Sequence, residues 1–206
     1  MKYINLFPTV ISSTILEDIS KNEIKDYIKF LNKEEGWSKD QNSNGYYTEN
    51  PMVLNKPIFS KLKNNILNLS KEYFKNLGFI DHNFRICNSW GNLVNKNEGI
   101  PPHFHRNSLI SGCFYLSPNN SNIYFENPLE KKWLFSMEKE KRNNNNLKKP
   151  QTWDEYGITP KQNQLIFFPS WLPHIVSKSG VDKRISISFN IIPKGLIGAP
   201  SSFINL

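Results

Sequence analysis

The period of the hydrophobic residues changes at Gly78. Before that glycine, apolar residues recur on one helical face in two stretches, residues 16–31 and 59–77. This spacing predicts two amphipathic helices. After Gly78, short apolar runs alternate with polar residues and are separated by turn residues, which is typical of strands. The chain is therefore predicted to be mainly β with N-terminal helices.

The strands are predicted at residues 84–94, 109–116, 122–125, 165–168 and 183–192. In the last run, the polar residues alternate with apolar ones, so one face of that strand is polar. These polar residues are Arg184, Ser186, Ser188 and Asn190. Helices followed by many short strands predict a β-sandwich or jelly roll with an N-terminal helical layer.

A chain of 206 residues is most simply a single domain with room for a hydrophobic core. We expect residues 1–80 to form a helical support layer and residues 81–206 to form the jelly-roll core. Residues 129–160 interrupt the strands with a charged, asparagine-rich insertion. A loop of this length is either a functional lid or a disordered insertion, and the sequence leaves both open.

The net charge of +8 is concentrated in one place, because residues 129–149 hold seven Lys or Arg and three Asp or Glu. A solvated basic loop is the simpler interpretation, and a nucleic-acid partner rests on this charge alone. No apolar run approaches the ~20 residues of a membrane span. The N-terminus lacks the pattern of a signal peptide, and Cys87 and Cys113 are predicted to be small buried hydrophobes. We therefore expect a cytoplasmic protein with no membrane partner.

Three of the four histidines have a spacing that suits a metal site. His103 and His105 are separated by one residue, and side chains at this spacing in a strand project to the same face. His174 follows at the end of a strand-and-turn segment. Three imidazoles on one face can bind iron, zinc, copper or nickel and leave coordination positions open. His82 is predicted to be an ordinary turn residue outside the site.

Arg184 lies ten residues after His174, on the polar face of the last predicted strand. A guanidinium binds a carboxylate in a fixed bidentate geometry, and Ser186 on the same face adds a hydroxyl. Within residues 181–192 the acidic residue is Asp182 alone. The carboxylate of a ligand is therefore a plausible partner for Arg184.

Together these segments resemble the 2-oxoglutarate/iron(II) oxygenase superfamily, most closely its small bacterial and phage branch. The resemblance covers the chain except for residues 129–160. The stretches that carry it are Leu6-Phe-Pro-Thr-Val, Asn88-Ser-Trp-Gly-Asn, His103-Phe-His-Arg-Asn-Ser-Leu-Ile-Ser-Gly-Cys-Phe-Tyr-Leu, Ile123-Tyr-Phe-Glu-Asn-Pro, Leu165-Ile-Phe-Phe-Pro-Ser-Trp-Leu-Pro-His and Arg184-Ile-Ser-Ile-Ser-Phe-Asn.

The resemblance implies a double-stranded β-helix, which is a cupin-like jelly roll, with iron(II) bound by His103, His105 and His174. His105 stands where the superfamily usually has Asp or Glu, so the site carries one more unit of positive charge. A pairing of His105 with Asn107 would place a weak amide ligand on the iron and is the less favoured arrangement.

The same resemblance implies the residues that bind 2-oxoglutarate. Arg184, helped by Ser186, would bind the distal carboxylate of the co-substrate. Tyr115 matches a tyrosine that often assists this contact, and Asn92 is a candidate for the other end of the molecule.

The function that follows from the resemblance is a dioxygenase that couples oxidative decarboxylation of 2-oxoglutarate to hydroxylation of an unidentified small-molecule or peptide substrate. Dioxygen is the co-substrate, ascorbate the expected reductant, and no catalytic residue is expected beyond the metal ligands. Two alternatives stay open. A non-catalytic cupin-like binding module usually has a Glu where Leu109 and Ile110 stand here, and a nucleic-acid-modifying oxygenase rests on charge alone.

Overall fold

The computed structural model describes residues 7–40, 45–80, 82–117, 121–129, 153–199 and 201–206. Within these ranges the α-helices are α1 (Lys21–Phe30) and α2 (Ser60–Asn76). The strands are β1 (Ser12–Ile15), β2 (Ser38–Lys39), β3 (Tyr46–Tyr47), β4 (Asn83–Val94), β5 (Ile100–His103), β6 (Ile110–Tyr115), β7 (Ile123–Glu126), β8 (Glu155–Ile158), β9 (Gln164–Pro169), β10 (His174–Val176), β11 (Arg184–Lys194), β12 (Leu196–Ile197) and β13 (Ile204–Asn205).

The strands form a large and a small antiparallel sheet in the described part of the chain. The large sheet has the order β1-β9-β6-β11-β4-β3-β2, and the small sheet has the order β5-β10-β7-β8. Strands β12 and β13 pair separately as a short hairpin. Because β9 leads into β10 and β4 leads into β5, the chain passes repeatedly between the two main sheets. This is the sandwich with a helical layer that the sequence predicts.

Local sequence signals set the ends of both helices. The Ser20 hydroxyl accepts the Glu23 backbone N–H, and the Glu23 carboxylate accepts the Ser20 N–H, so a capping box starts α1. A single π-helical turn, Leu31–Glu35, continues that helix. A 3-10 turn, Pro57–Phe59, precedes α2, and Gly78 follows it with a φ of 92°. Both predicted helices are present, although the first begins at residue 21 instead of 16.

The outer face of the large sheet packs against the helices. Apolar residues of β6, β9 and β11 bury their side chains there together with residues of α1 and α2. The main members of this cluster are Ile24, Tyr27, Leu62, Ile66, Phe114, Leu165, Phe167, Ile187 and Phe189. The helical layer therefore closes one side of the sheet and leaves the other side to face the small sheet.

The inner face of the large sheet forms a second, smaller cluster with the small sheet. Cys113, Tyr115 and Phe168 project from β6 and β9 towards Phe125 of β7. Alternation along β11 places Ser186 on this inner side, as the sequence predicts. The space between the sheets is thus apolar at one end and polar beside β11.

Several short strands are absent from the sequence prediction. The first 80 residues are more than a helical layer, because β1, β2 and β3 join the large sheet. Strands β5, β8 and β10 are also additions, and each is only three or four residues long. Strand β8 lies within the predicted insertion and pairs with β7. Residues 130–152 of that insertion lie outside the described residues, so its role as a lid stays a prediction.

Cys113 is a buried free thiol, as expected, whereas Cys87 is only half-buried. Among the described helices, none is long and apolar enough to cross a membrane.

Gly112 on β6 is a position where we expect even an alanine to destabilise the fold. A Cβ there would lie 2.3 Å from Phe189 Cζ and 2.6 Å from the carbonyl oxygen of Ile166. Overpacking of this kind costs about 1–3 kcal/mol. Urea denaturation of Gly112→Ala should show this loss in the free energy of unfolding. Adding Phe189→Leu should recover only part of it, since the Ile166 carbonyl remains; an unchanged stability of Gly112→Ala would contradict the packing.

Candidate active site

The pairing of β10 with β5 brings the predicted histidines together. His174 lies directly opposite His103 in this antiparallel pair, and His105 follows two residues later. The ring centroids are 4.3 Å apart for His103 and His174, 5.2 Å for His103 and His105, and 5.1 Å for His105 and His174. One ligand nitrogen from each ring lies within 4.8 Å of the other two. The group is therefore arranged as a set that could hold a metal ion.

The backbone at two of these histidines differs from the sequence prediction. Strand β5 ends at His103, so His105 is not in the strand; its backbone N–H instead donates to the carbonyl of Ser170 at 2.9 Å. His174 is the first residue of β10 and not the last residue of a turn. In both cases a hydrogen bond to a neighbouring strand or turn, which the local sequence does not reveal, holds the histidine in place.

Two main-chain carbonyls orient the rings of His103 and His174. Nδ1 of His103 lies 2.9 Å from the carbonyl oxygen of Pro101, and Nδ1 of His174 lies 3.0 Å from that of Leu172. A carbonyl oxygen can only accept, so Nδ1 carries the proton in each ring. The lone pair of the neutral imidazole is then on Nε2, which is the nitrogen left for a metal.

Burial keeps the imidazoles of His105 and His174 neutral. It lowers the pKa of His174 to about 3, with smaller effects from His103 and His105 that outweigh the hydrogen bond to Leu172. Burial and the nearby His103 also lower the pKa of His105 to about 4. The aromatic ring of Phe168 lies 4.6 Å from the ring of His174 and contributes to this apolar surrounding. Neutral imidazoles are the form that binds metals.

The distances test whether an ion fits. Three nitrogens that lie about 2.1 Å from one ion, at right angles around it, are about 3.0 Å apart. The nitrogens of this group lie within 4.8 Å of one another, which is a wider spacing. Each nitrogen would therefore have to move by up to about an ångström for the three rings to bind one ion.

Arg184 is a buried cation beside this group. Its side chain is 2 % exposed, and its Nε has no hydrogen-bond partner among the described residues. Ion pairs in the described ranges involve other residues, Lys56 with Glu35 and Lys61 with Glu23. Asp182, the neighbouring acid, accepts a hydrogen bond from the Lys96 backbone instead. A buried guanidinium without a carboxylate favours an anionic ligand.

The other predicted co-substrate residues form a row beside Arg184. Ser186 of β11 lies between Asn92 of β4 and Tyr115 of β6 in register. The Tyr115 ring centroid is 5.4 Å from Arg184 Cζ. Burial raises the pKa of Tyr115 well above its usual value, so its phenol stays protonated. The row offers neutral hydroxyl groups next to the guanidinium.

Asn92 is already held by its neighbours. Its Oδ1 accepts a hydrogen bond from Trp90 Nε1 at 3.0 Å, and its Nδ2 donates to Ser188 Oγ at 2.8 Å. A carboxamide has two N–H donors, so one remains after the bond to Ser188. Asn92 therefore orients the Trp90 indole and keeps at most one donor for a ligand.

All seven predicted site residues line one cavity of about 530 Å³. The cavity also has walls that sequence reasoning did not assign to the site. Trp90 and Ser188 lie on faces that the alternation in residues 84–94 and 183–192 does predict. Tyr46 and Tyr47 come from β3, a strand that the sequence analysis does not predict. No periodic signal marks a two-residue strand, so those residues could not be found in advance.

A family model described as "Putative 2OG-Fe(II) oxygenase" matches residues 88–190, which are 103 of the 206 residues. The chain therefore belongs to this family of 2-oxoglutarate- and iron(II)-dependent oxygenases. The matched region begins in β4 and ends in β11, so it contains every predicted site residue. Iron(II) and 2-oxoglutarate are the cofactors that define the family. None of the curated protein sequences matches the chain.

Solved structures of oxygenases are similar in fold. An oxidoreductase of the 2OG-Fe(II) oxygenase family from Burkholderia pseudomallei has a TM-score of 0.59 at 13% identity, over 88% of this chain and 83% of its own. A Pseudomonas putida prolyl-4-hydroxylase has a TM-score of 0.57 at 11% identity, over 88% and 92%. HygX from Streptomyces hygroscopicus, with nickel, 2-oxoglutarate and hygromycin B bound, has a TM-score of 0.56 at 11% identity, over 90% and 83%. These likenesses confirm the double-stranded β-helix.

We expect the metal-free protein to lose stability as the pH falls below about 6.5. The pKa of His174 is about 3 in the folded chain and near 6.5 when unfolded, so only the unfolded chain binds a proton in this window. Between pH 7 and pH 5, this one group lowers the free energy of unfolding by about 2 kcal/mol. Urea denaturation of the wild type and of His174→Leu at both pH values measures this change in the free energy of unfolding. The free energy of unfolding should fall less in the variant than in the wild type. An equal fall in both proteins would contradict the lowered pKa of His174.

Proposed function

We propose that this protein is a dioxygenase that hydroxylates a C–H bond of its substrate with iron(II), 2-oxoglutarate and dioxygen. The observation that carries the proposal is the position of Arg184, a buried guanidinium whose Nε lacks a partner in the described residues. It lines the same cavity as the imidazole group of His103, His105 and His174. A metal-binding set and a carboxylate-binding cation in one cavity match the two ends of a 2-oxo acid.

The three histidines would hold the iron. Each is a neutral nitrogen ligand, and three ligands leave coordination positions for a co-substrate and for dioxygen. Iron(II) and 2-oxoglutarate, when bound, supply the oxidising chemistry, in which 2-oxoglutarate becomes succinate and CO₂ and one oxygen atom enters the substrate. The protein contributes binding, orientation and exclusion of water.

Arg184 would bind the distal carboxylate of 2-oxoglutarate, with Ser186 and Tyr115 as hydrogen-bond donors beside it. The apolar rings around the site reduce screening, so the guanidinium attracts the carboxylate more strongly than it would in water. The remaining N–H of Asn92 would face the keto-acid end. Because the metal ligands are neutral, the divalent ion keeps its full charge, which favours a doubly negative co-substrate.

The cavity walls would exclude water from the reacting atoms. Trp90, held by Asn92, lies 5.7 Å from the His105 ring, and Phe168 lies 6.3 Å from it on the wall formed by β9. Rigid aromatic walls of this kind keep a reactive site dry and orient the substrate. Tyr46 and Tyr47 line the cavity from the large sheet and would contact the substrate.

The decisive experiment is turnover of 2-oxoglutarate. With iron(II), ascorbate and air, we expect the purified protein to release succinate, and a visible charge-transfer band to appear when iron(II) and 2-oxoglutarate are added without oxygen. Arg184→Ala should weaken the binding of 2-oxoglutarate on the order of 100-fold, because it removes hydrogen bonds to a charged group. Arg85→Ala, at an exposed position of β4, is the matched control and should bind it normally. Absence of succinate together with no effect of Arg184→Ala would refute the proposal.

His174→Ala should abolish iron binding, because it removes the central imidazole of the group. Equilibrium titration with Co(II), a stable substitute for iron(II), measures this directly in the folded protein. His82→Ala removes the remaining histidine of the chain, whose ring contacts Phe74 outside the site, and should bind Co(II) like the wild type. Retention of stoichiometric Co(II) by His174→Ala would place the metal elsewhere.

A further inference from the structure

A chain of buried hydrogen bonds leads away from the third histidine of the site. Asn190 Nδ2 lies 3.5 Å from Nδ1 of His105, and Asn190 Oδ1 accepts from Ser111 Oγ at 2.6 Å. Ser111 Oγ lies 2.8 Å from Ser170 Oγ. Asn190, Ser111 and Ser170 are at most 3 % exposed. The main-chain carbonyl of the same Ser170 accepts the backbone N–H of His105. These linked residues, here called the Asn190 network, therefore hold both the main chain and the ring of His105.

His105 differs from the other two histidines in what faces its Nδ1. In His103 and His174 a main-chain carbonyl faces Nδ1 and fixes the proton there. In His105 a carboxamide faces it, and a carboxamide can donate through its nitrogen or accept through its oxygen. The nearby ring of Trp90 offers no alternative, since its N–H already donates to Asn92. The tautomer of His105 thus depends on which way the Asn190 amide points.

We propose that Asn190 is the positioning residue that decides whether His105 serves as the third metal ligand. With Nδ2 towards the ring, Nδ1 of His105 accepts and Nε2 carries the proton, which leaves Nε2 unable to bind an ion. With the amide rotated by 180°, Oδ1 accepts from Nδ1–H and the Nε2 lone pair is released for the metal. This inference rests on the proposed function, because it assigns Asn190 a role towards the same metal.

The Asn190 network can follow this rotation because its other members are hydroxyls. Ser111 donates to Asn190 Oδ1 in the first arrangement. In the second it accepts from Asn190 Nδ2 and donates to Ser170, and a hydroxyl can do both. Asn190, Ser111 and Ser170 carry no charge, so neither arrangement buries an ion. Nε2 of His105 could hold an ion only in the second arrangement, in which its lone pair is free.

The test compares Co(II) affinity of three variants at one pH. Asn190→Leu keeps the approximate size of the side chain and removes its hydrogen bond to His105. It should weaken Co(II) binding about 10- to 100-fold. Asn190→Asp can only accept, so it should bind at least as tightly as the wild type. Asn88→Leu is the matched control: it lies beside Asn190 in the β4–β11 register, has no described bond to His105, and should stay within about twofold.

A second readout reports the proton directly. In the Zn(II)-loaded protein, ¹H–¹⁵N correlation spectra should show Nδ1–H on all three rings, and Asn190→Leu should lose the protected Nδ1–H of His105. Zinc on Nδ1 of His105, or wild-type Co(II) affinity in Asn190→Leu, would overturn the inference. If Asn190→Leu does not fold, Co(II) binding by Asn190→Asp that is tenfold weaker than in the wild type would overturn the inference instead.

These results separate the two proposals. If the wild type binds Co(II), His174→Ala does not, and the Asn190 variants bind normally, only the role of Asn190 is refuted. If the wild type itself binds no Co(II), the proposed oxygenase function fails and takes this inference with it.

Discussion

The alternation of side chains along β11 is the constraint on which the rest of the structure depends. Its apolar residues, among them Ile187 and Phe189, pack against the helical layer. Its polar residues, from Arg184 to Asn190, face the other way and form the floor of the cavity or the hydrogen bonds beneath it. A slip of one residue in the pairing of β11 would exchange the two sets. It would bury hydroxyls among aliphatic side chains and turn the guanidinium towards the helices.

The groups that form hydrogen bonds with the three imidazole rings carry no charge. Burial keeps the imidazoles of His105 and His174 neutral, and the groups that face the Nδ1 atoms of the three rings are two carbonyls and one carboxamide. Arg184 is the buried positive group among the described residues that line the cavity. The proposed metal ion and the guanidinium would both attract an incoming anion, although Asp40 and Glu49 also line the cavity.

The sequence was informative where short-range spacing determines the geometry. The His-x-His spacing and the period of two after His174 predict His103, His105, Arg184 and Ser186, whereas Tyr115 and Asn92 follow from the family resemblance. Together with His174, all of these residues line one cavity. Both helices and the longer strands were predictable for the same reason. Strands of two or three residues, such as β3 and β10, carry too few residues for a periodic signal. The contact of Asn190 with His105 joins residues 85 positions apart, and a local sequence pattern cannot indicate which asparagine makes it.

The order of the large sheet bears on how the protein behaves at high concentration. Its outermost strands in the described chain are β1, with four residues, and β2, with two. Among the described strands, β11 pairs with β4 along its whole length and with β6 from Ser186 to Ile191, whereas β3 pairs with β4 only at Asn92 and Leu93. At the β1 and β2 margins, a second molecule that tried to add a strand would find only a brief row of unpaired amides and carbonyls. These short margins thus protect the central strand β11 from edge-to-edge aggregation.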